Sequence, residues 1–133
     1  MALQDKIKLY QRRLIIDDRG WFLKALTGNE NQLPNHTGEI YFTNCEPGFT
    51  RGGHYHPKAL EWFTIIEGEA VLLLKDMVTE EQIEIKLSAN NPETIFIPNN
   101  IAHIFINKSK QPFILCAYSD LQYQPEDTIA HNF

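Results

Sequence analysis

The sequence predicts an all-β domain, either a sandwich or a small closed barrel, with a jelly roll as the preferred form. Short runs rich in β-branched and aromatic residues recur along the 133 residues and are separated by turn residues. Apolar residues nowhere keep a 3.6-residue period over three helical turns, so no long helix is expected. A chain of this length forms one domain that buries most of its apolar surface without disulfides.

The predicted strands are short and follow one another along the whole chain. They are residues 7–16, 21–26, 39–45, 50–56, 62–66, 70–75, 82–87, 94–97, 103–107 and 113–118. The segments between them are polar or contain Gly or Pro, and Glu67-Gly68-Glu69 predicts a tight hairpin. Residues 1–37 are therefore N-terminal strands and a loop, residues 38–118 the jelly-roll core, and residues 119–133 a tail that is irregular or briefly helical.

Composition excludes several classes of function. The net charge of −5 and the lack of a long basic run argue against nucleic acid binding. No stretch approaches the ~20 apolar residues of a membrane span, and the first residues lack the apolar core of a signal peptide. Cys45 and Cys116 form no CxxC pair and are predicted to be reduced, buried thiols. We therefore expect a cytoplasmic protein.

Four residues in the middle of the chain have the spacing of a converging polar site: His54, His56, Glu61 and His103. Residues two apart on a strand share a face, so the first two histidines project together. Glu61 is expected to return on the adjacent strand, and His103 to arrive from a separate hairpin. Isolated histidines of this kind also occur on surfaces or as hydrogen-bonded core residues. The agreement of four elements favours a site for one divalent metal ion, with zinc preferred over manganese, iron or nickel.

The same residues resemble the two motifs of the cupin superfamily. The first, Gly-x5-His-x-His-x4-Glu-x6-Gly, is matched in full by Gly48, His54, His56, Glu61 and Gly68. The second is matched by Pro98, His103 and Asn107, with Pro92 and Asn100 at positions where glycines are usual. Asn100 is expected to keep the turn, because asparagine tolerates a positive φ better than most residues.

A narrower resemblance concerns the segment Arg51-Gly52-Gly53-His54-Tyr55-His56. It is similar to cupins that act on nucleotide-linked keto-deoxysugars, which include 3,4-ketoisomerases and 3,5-epimerases. It most resembles the C-terminal cupin domain of capsular-polysaccharide enzymes that epimerise a UDP-linked 4-keto-6-deoxyhexosamine at C3. Asp17-Asp18-Arg19-Gly20 also resembles the opening of the epimerases. The resemblance implies a C3 epimerase or 3,4-ketoisomerase, a nucleotide-sugar substrate and a homodimer.

This chemistry removes a proton next to a ketone, and His54 and His56 are the predicted catalytic pair. A neutral imidazole, with an unperturbed pKa near ~6.5, is a suitable base at neutral pH. A metal ion or a second protonated group then stabilises the enolate oxygen. If a metal ion binds all four side chains, a metal-bound water or one of Tyr55, Tyr41 and Tyr118 must return the proton to the carbon. Strict alternation places Tyr55 opposite the histidines unless the strand is bulged.

Three further side chains are predicted to bind substrate. Arg51 offers a forked donor to a pyrophosphate, or else is a surface or interface arginine. Lys75 is a second candidate of the same kind, and Tyr118 is the third.

Two other classes remain open at this stage. One is a metal-dependent cupin of another reaction type, such as an iron dioxygenase, and the other is a non-enzymatic cupin that binds a small molecule. The arginine beside the histidines favours the sugar-nucleotide enzyme, because a generic dioxygenase has no need of it.

Overall fold

The computed structural model describes residues 1–18, 20–36 and 38–133. Its helices are α1 (Leu3–Lys6) and a 3-10 turn (Pro125–Asp127). Its strands are β1 (Lys8–Gln11), β2 (Ile15–Asp17), β3 (Gly20–Phe22), β4 (Glu39–Cys45), β5 (Thr50–Tyr55), β6 (Glu61–Glu67), β7 (Glu69–Asp76), β8 (Gln82–Ser88), β9 (Glu93–Ile97), β10 (Ile101–Ile106), β11 (Phe113–Ser119) and β12 (Ile129–Ala130). No helix in the described ranges has the length and apolar character needed to cross a bilayer.

The strands form two five-stranded antiparallel sheets, which confirms the predicted all-β jelly roll. The first sheet has the order β1-β9-β6-β11-β4, and the second has the order β12-β5-β10-β7-β8. Strands β2 and β3 pair with each other as a separate hairpin. Asn100 has a φ of 63° between β9 and β10, as expected for its place in the turn.

From β4 onward, most consecutive strands alternate between the two sheets. Strands β4, β6, β9 and β11 belong to the first sheet, whereas β5, β7, β8 and β10 belong to the second. The predicted hairpin at Gly68 is therefore wrong, because β6 and β7 do not pair and the chain crosses between sheets there. The crossing is tight: a Cβ on Gly68 would lie 2.5 Å from the carbonyl oxygen of Pro112.

The N-terminal strands are shorter than predicted. Residues 7–16 do not form one strand, because β1 pairs with β9 and the chain then leaves the sheet. Arg12 lies where the chain leaves the sheet. Its backbone N–H donates to the Pro92 carbonyl, and its side chain donates to Thr94 and Glu30. The predicted strand 21–26 is limited to β3. Within the predicted turn 17–20, Arg19 lies outside the described residues.

The main core lies between the inner faces of the two sheets. Its largest side chains include Phe63 and Leu115 from the first sheet and Leu72, Leu74 and Phe105 from the second. Each such side chain contributes roughly 1.5–3 kcal/mol on burial. Phe63, Phe105 and Leu115 also line a cavity together with His54 and His103, so the core and the polar site adjoin.

A second cluster covers the outer face of the first sheet. Trp62, Phe96 and Tyr118 stack there, and Leu26 and Leu33 from the segment between β3 and β4 pack against them. Strand β6 is therefore buried on both faces, which explains its nearly continuous apolar run. Both cysteines are free: Cys45 is buried, and Cys116 is only half-buried.

Candidate functional site

Three histidines meet on the inner side of the second sheet: His54 on β5, His56 just after the end of β5, and His103 on β10. His54 and His103 are direct cross-strand partners, and the register shifts by one residue immediately beyond them. Gly52 and Gly53 have φ values of 94° and 81° at this bulge. Together with His56, these histidines offer ring nitrogens that lie within 4.8 Å of one another.

Glu61 reaches the histidines from the opposite sheet. It is the first residue of β6 and shares its inner face with Phe63 and Ile65 by strand alternation. Its Oε1 lies 3.0 Å from Nε2 of His56 and 3.4 Å from Nε2 of His103. The expectation that Glu61 returns on a strand adjacent to β5 is wrong, since β5 and β6 face each other across the barrel.

Backbone carbonyls fix the rings of two histidines. The Nδ1 of His56 lies 2.9 Å from the carbonyl oxygen of Asp127, and the Nδ1 of His103 lies 3.0 Å from that of Ile101. A carbonyl only accepts, so each Nδ1 carries a proton, and in the neutral form of each ring Nε2 turns its lone pair toward Glu61. These two Nε2 atoms and Glu61 Oε1 are buried without an aligned hydrogen bond. Three acceptors facing one another in this way need a cation, either a metal ion or a proton.

Burial and neighbouring charges shift the pKa values of the three histidines in different directions. Burial, reinforced by the neighbouring imidazoles, lowers the pKa of His54 to about 4, so its ring is neutral at pH 7. Burial also lowers the pKa of His103. For His56, burial alone would lower the pKa, but the Glu61 carboxylate raises it above its usual value. Burial would raise the pKa of Glu61, and its histidine neighbours outweigh this and lower it.

Two cavities meet at this cluster and share His54 and Tyr41. One, of about 330 Å³, is lined by His56, Glu61 and the tail from Leu121 to Thr128. The other, of about 320 Å³, is lined by Arg51, His103 and apolar side chains of the core. A larger cavity of about 420 Å³ lies over β7 and β8, but no histidine lines it. We therefore place the chemistry in the two smaller cavities.

The structure brings Arg51 to the site but not the other three predicted contact residues. Arg51 borders the second cavity, and its Nε and Nη2 donate to the carbonyl of Asn44 at 3.0 and 2.8 Å. Tyr55 lies on the strand face opposite His54 and His56. Lys75 points outward because Leu72 and Leu74 occupy the inner face of β7.

Tyr118 also points away, since it stacks in the outer cluster and its hydroxyl donates to the carbonyl of His36 at 3.3 Å. The structure therefore does not bring Tyr55, Lys75 and Tyr118 to the site, and in each case the side of the strand on which the residue lies is the reason.

The structure adds residues that the motifs did not indicate. Tyr41 was one of three candidate tyrosines, and it is the one that lies in both cavities. Alternation from the buried Cys45 along β4 was the available signal for it. Asp127 and Tyr123 come from the tail, where no periodic pattern existed to place them.

Comparisons with known proteins agree with this architecture. The spore coat polysaccharide biosynthesis protein SpsL of Bacillus subtilis (strain 168) is 24% identical over 127 residues, covering 92% of this chain and 83% of SpsL. A UDP-2-acetamido-2,6-beta-L-arabino-hexul-4-ose reductase of Pseudomonas aeruginosa is 25% identical over 111 residues, 84% of this chain and 28% of the reductase. The chain thus spans little more than a quarter of that enzyme. The crystal structure of a dTDP sugar isomerase from Desulfovibrio desulfuricans G20 matches with a TM-score of 0.86 and 19% identity, covering 95% of this chain and 83% of the isomerase.

A two-sheet jelly roll with three histidines and one glutamate converging inside one end is a cupin, as the motifs predicted. Residues 15–129 match the family described as the polysaccharide biosynthesis C-terminal domain. The chain belongs to that family.

Proposed function

We propose that this protein is a cytoplasmic sugar-nucleotide C3 epimerase or 3,4-ketoisomerase of cell-surface polysaccharide biosynthesis. Its substrate is a nucleotide-linked 4-keto-6-deoxy sugar, and the reaction begins by removing the proton beside the ketone. The observation that carries the proposal is a neutral histidine, His54, in the wall shared by two cavities, with Tyr41 also lining both. The similar dTDP sugar isomerase supports a nucleotide-sugar substrate, and the family's description and SpsL support a place in polysaccharide biosynthesis.

His54 is the proposed base. Its lowered pKa keeps the lone pair free at neutral pH but also makes the imidazole a weak base. Removal of the proton is then feasible only if the enolate oxygen is stabilised. His56 is suited to this role as a protonated donor, since Glu61 raises its pKa.

One divalent metal ion, with zinc preferred, is the source of that stabilisation that we favour, and a protonated His56 is the alternative. The orphaned Nε2 atoms of His56 and His103 and the Oε1 of Glu61 fit such an ion. When bound, it would act as a Lewis acid toward the substrate oxygen. Glu61 approaches His56 and His103, so His54 is either a fourth ligand or the base beside the ion.

Arg51 is proposed to bind the diphosphate of the substrate. Its guanidinium borders the cavity of about 320 Å³ that meets the histidine cluster. A forked, permanently charged donor matches phosphate oxygens, and the sugar would then extend toward His54.

Deuterium wash-in tests the proposed reaction. UDP- and dTDP-linked 4-keto-6-deoxy sugars are incubated with the protein in D2O, and exchange at C3 is followed by NMR. We expect exchange with at least one substrate, and a loss of ~10²-fold or more in His54→Asn. His36→Asn, at an exposed histidine, is the matched control and should leave the rate unchanged. Absence of C3 exchange with both sugars would overturn the proposal.

Elemental analysis of untagged protein tests the metal. We expect about one equivalent of zinc per chain, and its loss in Glu61→Gln because a buried ligand is removed. Glu67→Gln, at the exposed end of the same strand, should retain the metal. Full exchange activity in metal-free protein would leave the protonated His56 as the stabilising group.

A homodimer is proposed on the resemblance and on the β2–β3 hairpin. Ile15, Ile16, Trp21 and Phe22 are 45–72% exposed there, and neither strand pairs with another described strand. A second copy would cover this apolar surface. Sedimentation analysis should give twice the chain mass, reduced to one chain mass in the double variant Ile16→Ser/Trp21→Ser. Val78→Ser, at an equally exposed turn residue, should stay dimeric.

A further inference from the structure

Asp127 holds two neighbouring parts of the site from the C-terminal tail. Its backbone carbonyl accepts the Nδ1 proton of His56 at 2.9 Å. Its carboxylate oxygens accept the backbone N–H groups of Lys58 and Ala59 at 2.8 and 3.1 Å. The residue is only 8% exposed, so these bonds are largely shielded from water.

The bonded segment is short and lies between two residues of the site. His56 lies just before the loop, which begins at Pro57, and Glu61 is the first residue of the next strand. The Asp127 carboxylate therefore fixes the backbone of the loop that links His56 to Glu61, while its carbonyl fixes the ring of His56.

We propose that Asp127 is a positioning residue that sets the tautomer and ring orientation of His56. The inference rests on the proposed function for its catalytic consequence. Without the carboxylate clamp, the Asp127 carbonyl is no longer held against the ring, and the Nε2 of His56 loses its fixed direction toward Glu61. Groups that orient a functional histidine through its second nitrogen typically change activity by ~10–100-fold when they are removed.

The tail keeps other attachments, so loss of this clamp should not release it. Leu60 donates its N–H to Asp120 Oδ1 at 2.8 Å, Tyr123 donates its N–H to Glu39 Oε2 at 2.9 Å, and His131 donates its N–H to the Gly53 carbonyl at 2.8 Å. Variants of Asp127 are therefore expected to fold.

The test compares Asp127→Asn and Asp127→Ala with the matched control Asp120→Asn. Asp120 also accepts a backbone N–H from this loop, and its own carbonyl lies 3.1 Å from Nε2 of His36, but it has no bond to a histidine of the site. Long-range ¹H–¹⁵N NMR reports the tautomer of each histidine, and deuterium wash-in gives kcat and KM. In the wild type, at a pH where the ring is neutral, His56 should carry its proton on Nδ1.

In both Asp127 variants we expect that Nδ1–H signature to be lost or averaged, with kcat lowered ~10–100-fold and KM changed far less. Asp120→Asn should keep the signature. An unchanged His56 tautomer in Asp127→Ala would overturn the proposal, as would an equal change in Asp120→Asn. Because the NMR signature needs no substrate, it decides the positioning role even if the wild type shows no exchange and the proposed function fails.

Discussion

Tyr41 is the tyrosine best placed to return a proton to the substrate. It projects from the inner face of β4 into both cavities, next to His54. Burial and the nearby carboxylates Glu61 and Glu39 raise its pKa, so its hydroxyl stays protonated at neutral pH. Epimerisation requires a second group that protonates the carbon on the face opposite the base, and with His54 as base we expect Tyr41 to be that group.

Tyr41→Phe should therefore separate proton removal from product formation. We expect deuterium to enter recovered substrate through His54, while formation of the product falls by ~10²–10⁴-fold because the second donor is gone. Tyr55→Phe, at a tyrosine on the opposite face of β5, is the control and should retain both. Product formation at the wild-type rate in Tyr41→Phe would assign the proton return to another group.

At the scale of the strand, the bulge in β5 sets the geometry of the histidines. Gly52 has a φ of 94°, and a Cβ there would lie 2.8 Å from the carbonyl oxygen of His103. Gly48 has a similar φ of 85°, but a Cβ there would meet no atom within 4 Å. The two glycines thus share the conformational requirement and differ in the close approach of β10.

Gly52→Ala should therefore lower the free energy of unfolding more than Gly48→Ala does. A positive φ alone costs roughly 1–2 kcal/mol in a residue with a Cβ, and the clash with β10 adds to it only at Gly52. We expect urea unfolding to show a loss of about 1 kcal/mol in Gly48→Ala and about 3 kcal/mol in Gly52→Ala. Equal losses would mean that β10 moves aside without cost.

The element scale also shows what could be predicted from the sequence. The ranges of β4 to β11 follow from alternation and turn residues, and the motif spacing predicted the convergence of His54, His56, Glu61 and His103. Which sheet each strand joins could not be predicted, because a short glycine turn looks the same in a hairpin and in a crossing between sheets. The contribution of Asp127 depends on how the tail folds back, and no local pattern encodes that contact.

At the scale of the whole molecule, the segment between β3 and β4 is tied to the first sheet through buried Glu30. The Glu30 carboxylate accepts hydrogen bonds from Arg12 and from the backbone and hydroxyl of Thr27. Thr94 Oγ1 in turn accepts from Arg12 and donates to the carbonyl of Ala25, at 2.9 Å in each case. The segment bound in this way brings Leu26 and Leu33 over Trp62 and Phe96.

Protonation of Glu30 should therefore weaken the whole fold at low pH. Burial alone would raise the pKa of Glu30, but the hydrogen bonds from Thr27 and Arg12 outweigh it and lower the pKa from 4.5 to about 2. A lowered carboxylate pKa contributes stability that is present above pH 4.5 and is lost as the pH falls toward 2. We expect Glu30→Gln to destabilise the protein by about 2 kcal/mol at pH 7, and the difference from wild type to shrink progressively below pH 4.5.

Urea unfolding of both proteins between pH 7 and pH 3 measures this difference directly. Glu69→Gln, at an exposed residue of β7, should show no comparable pH-dependent difference. If the difference in the free energy of unfolding between Glu30→Gln and wild type stays constant with pH, the carboxylate charge is not what holds the segment between β3 and β4. The Arg12 and Thr27 hydrogen bonds would then stabilise the neutral side chain equally well. The acid sensitivity of the fold would have to come from other buried carboxylates, such as Asp76. Burial alone would raise the pKa of Asp76, but hydrogen bonds from Lys6 and from nearby backbone N–H groups lower it.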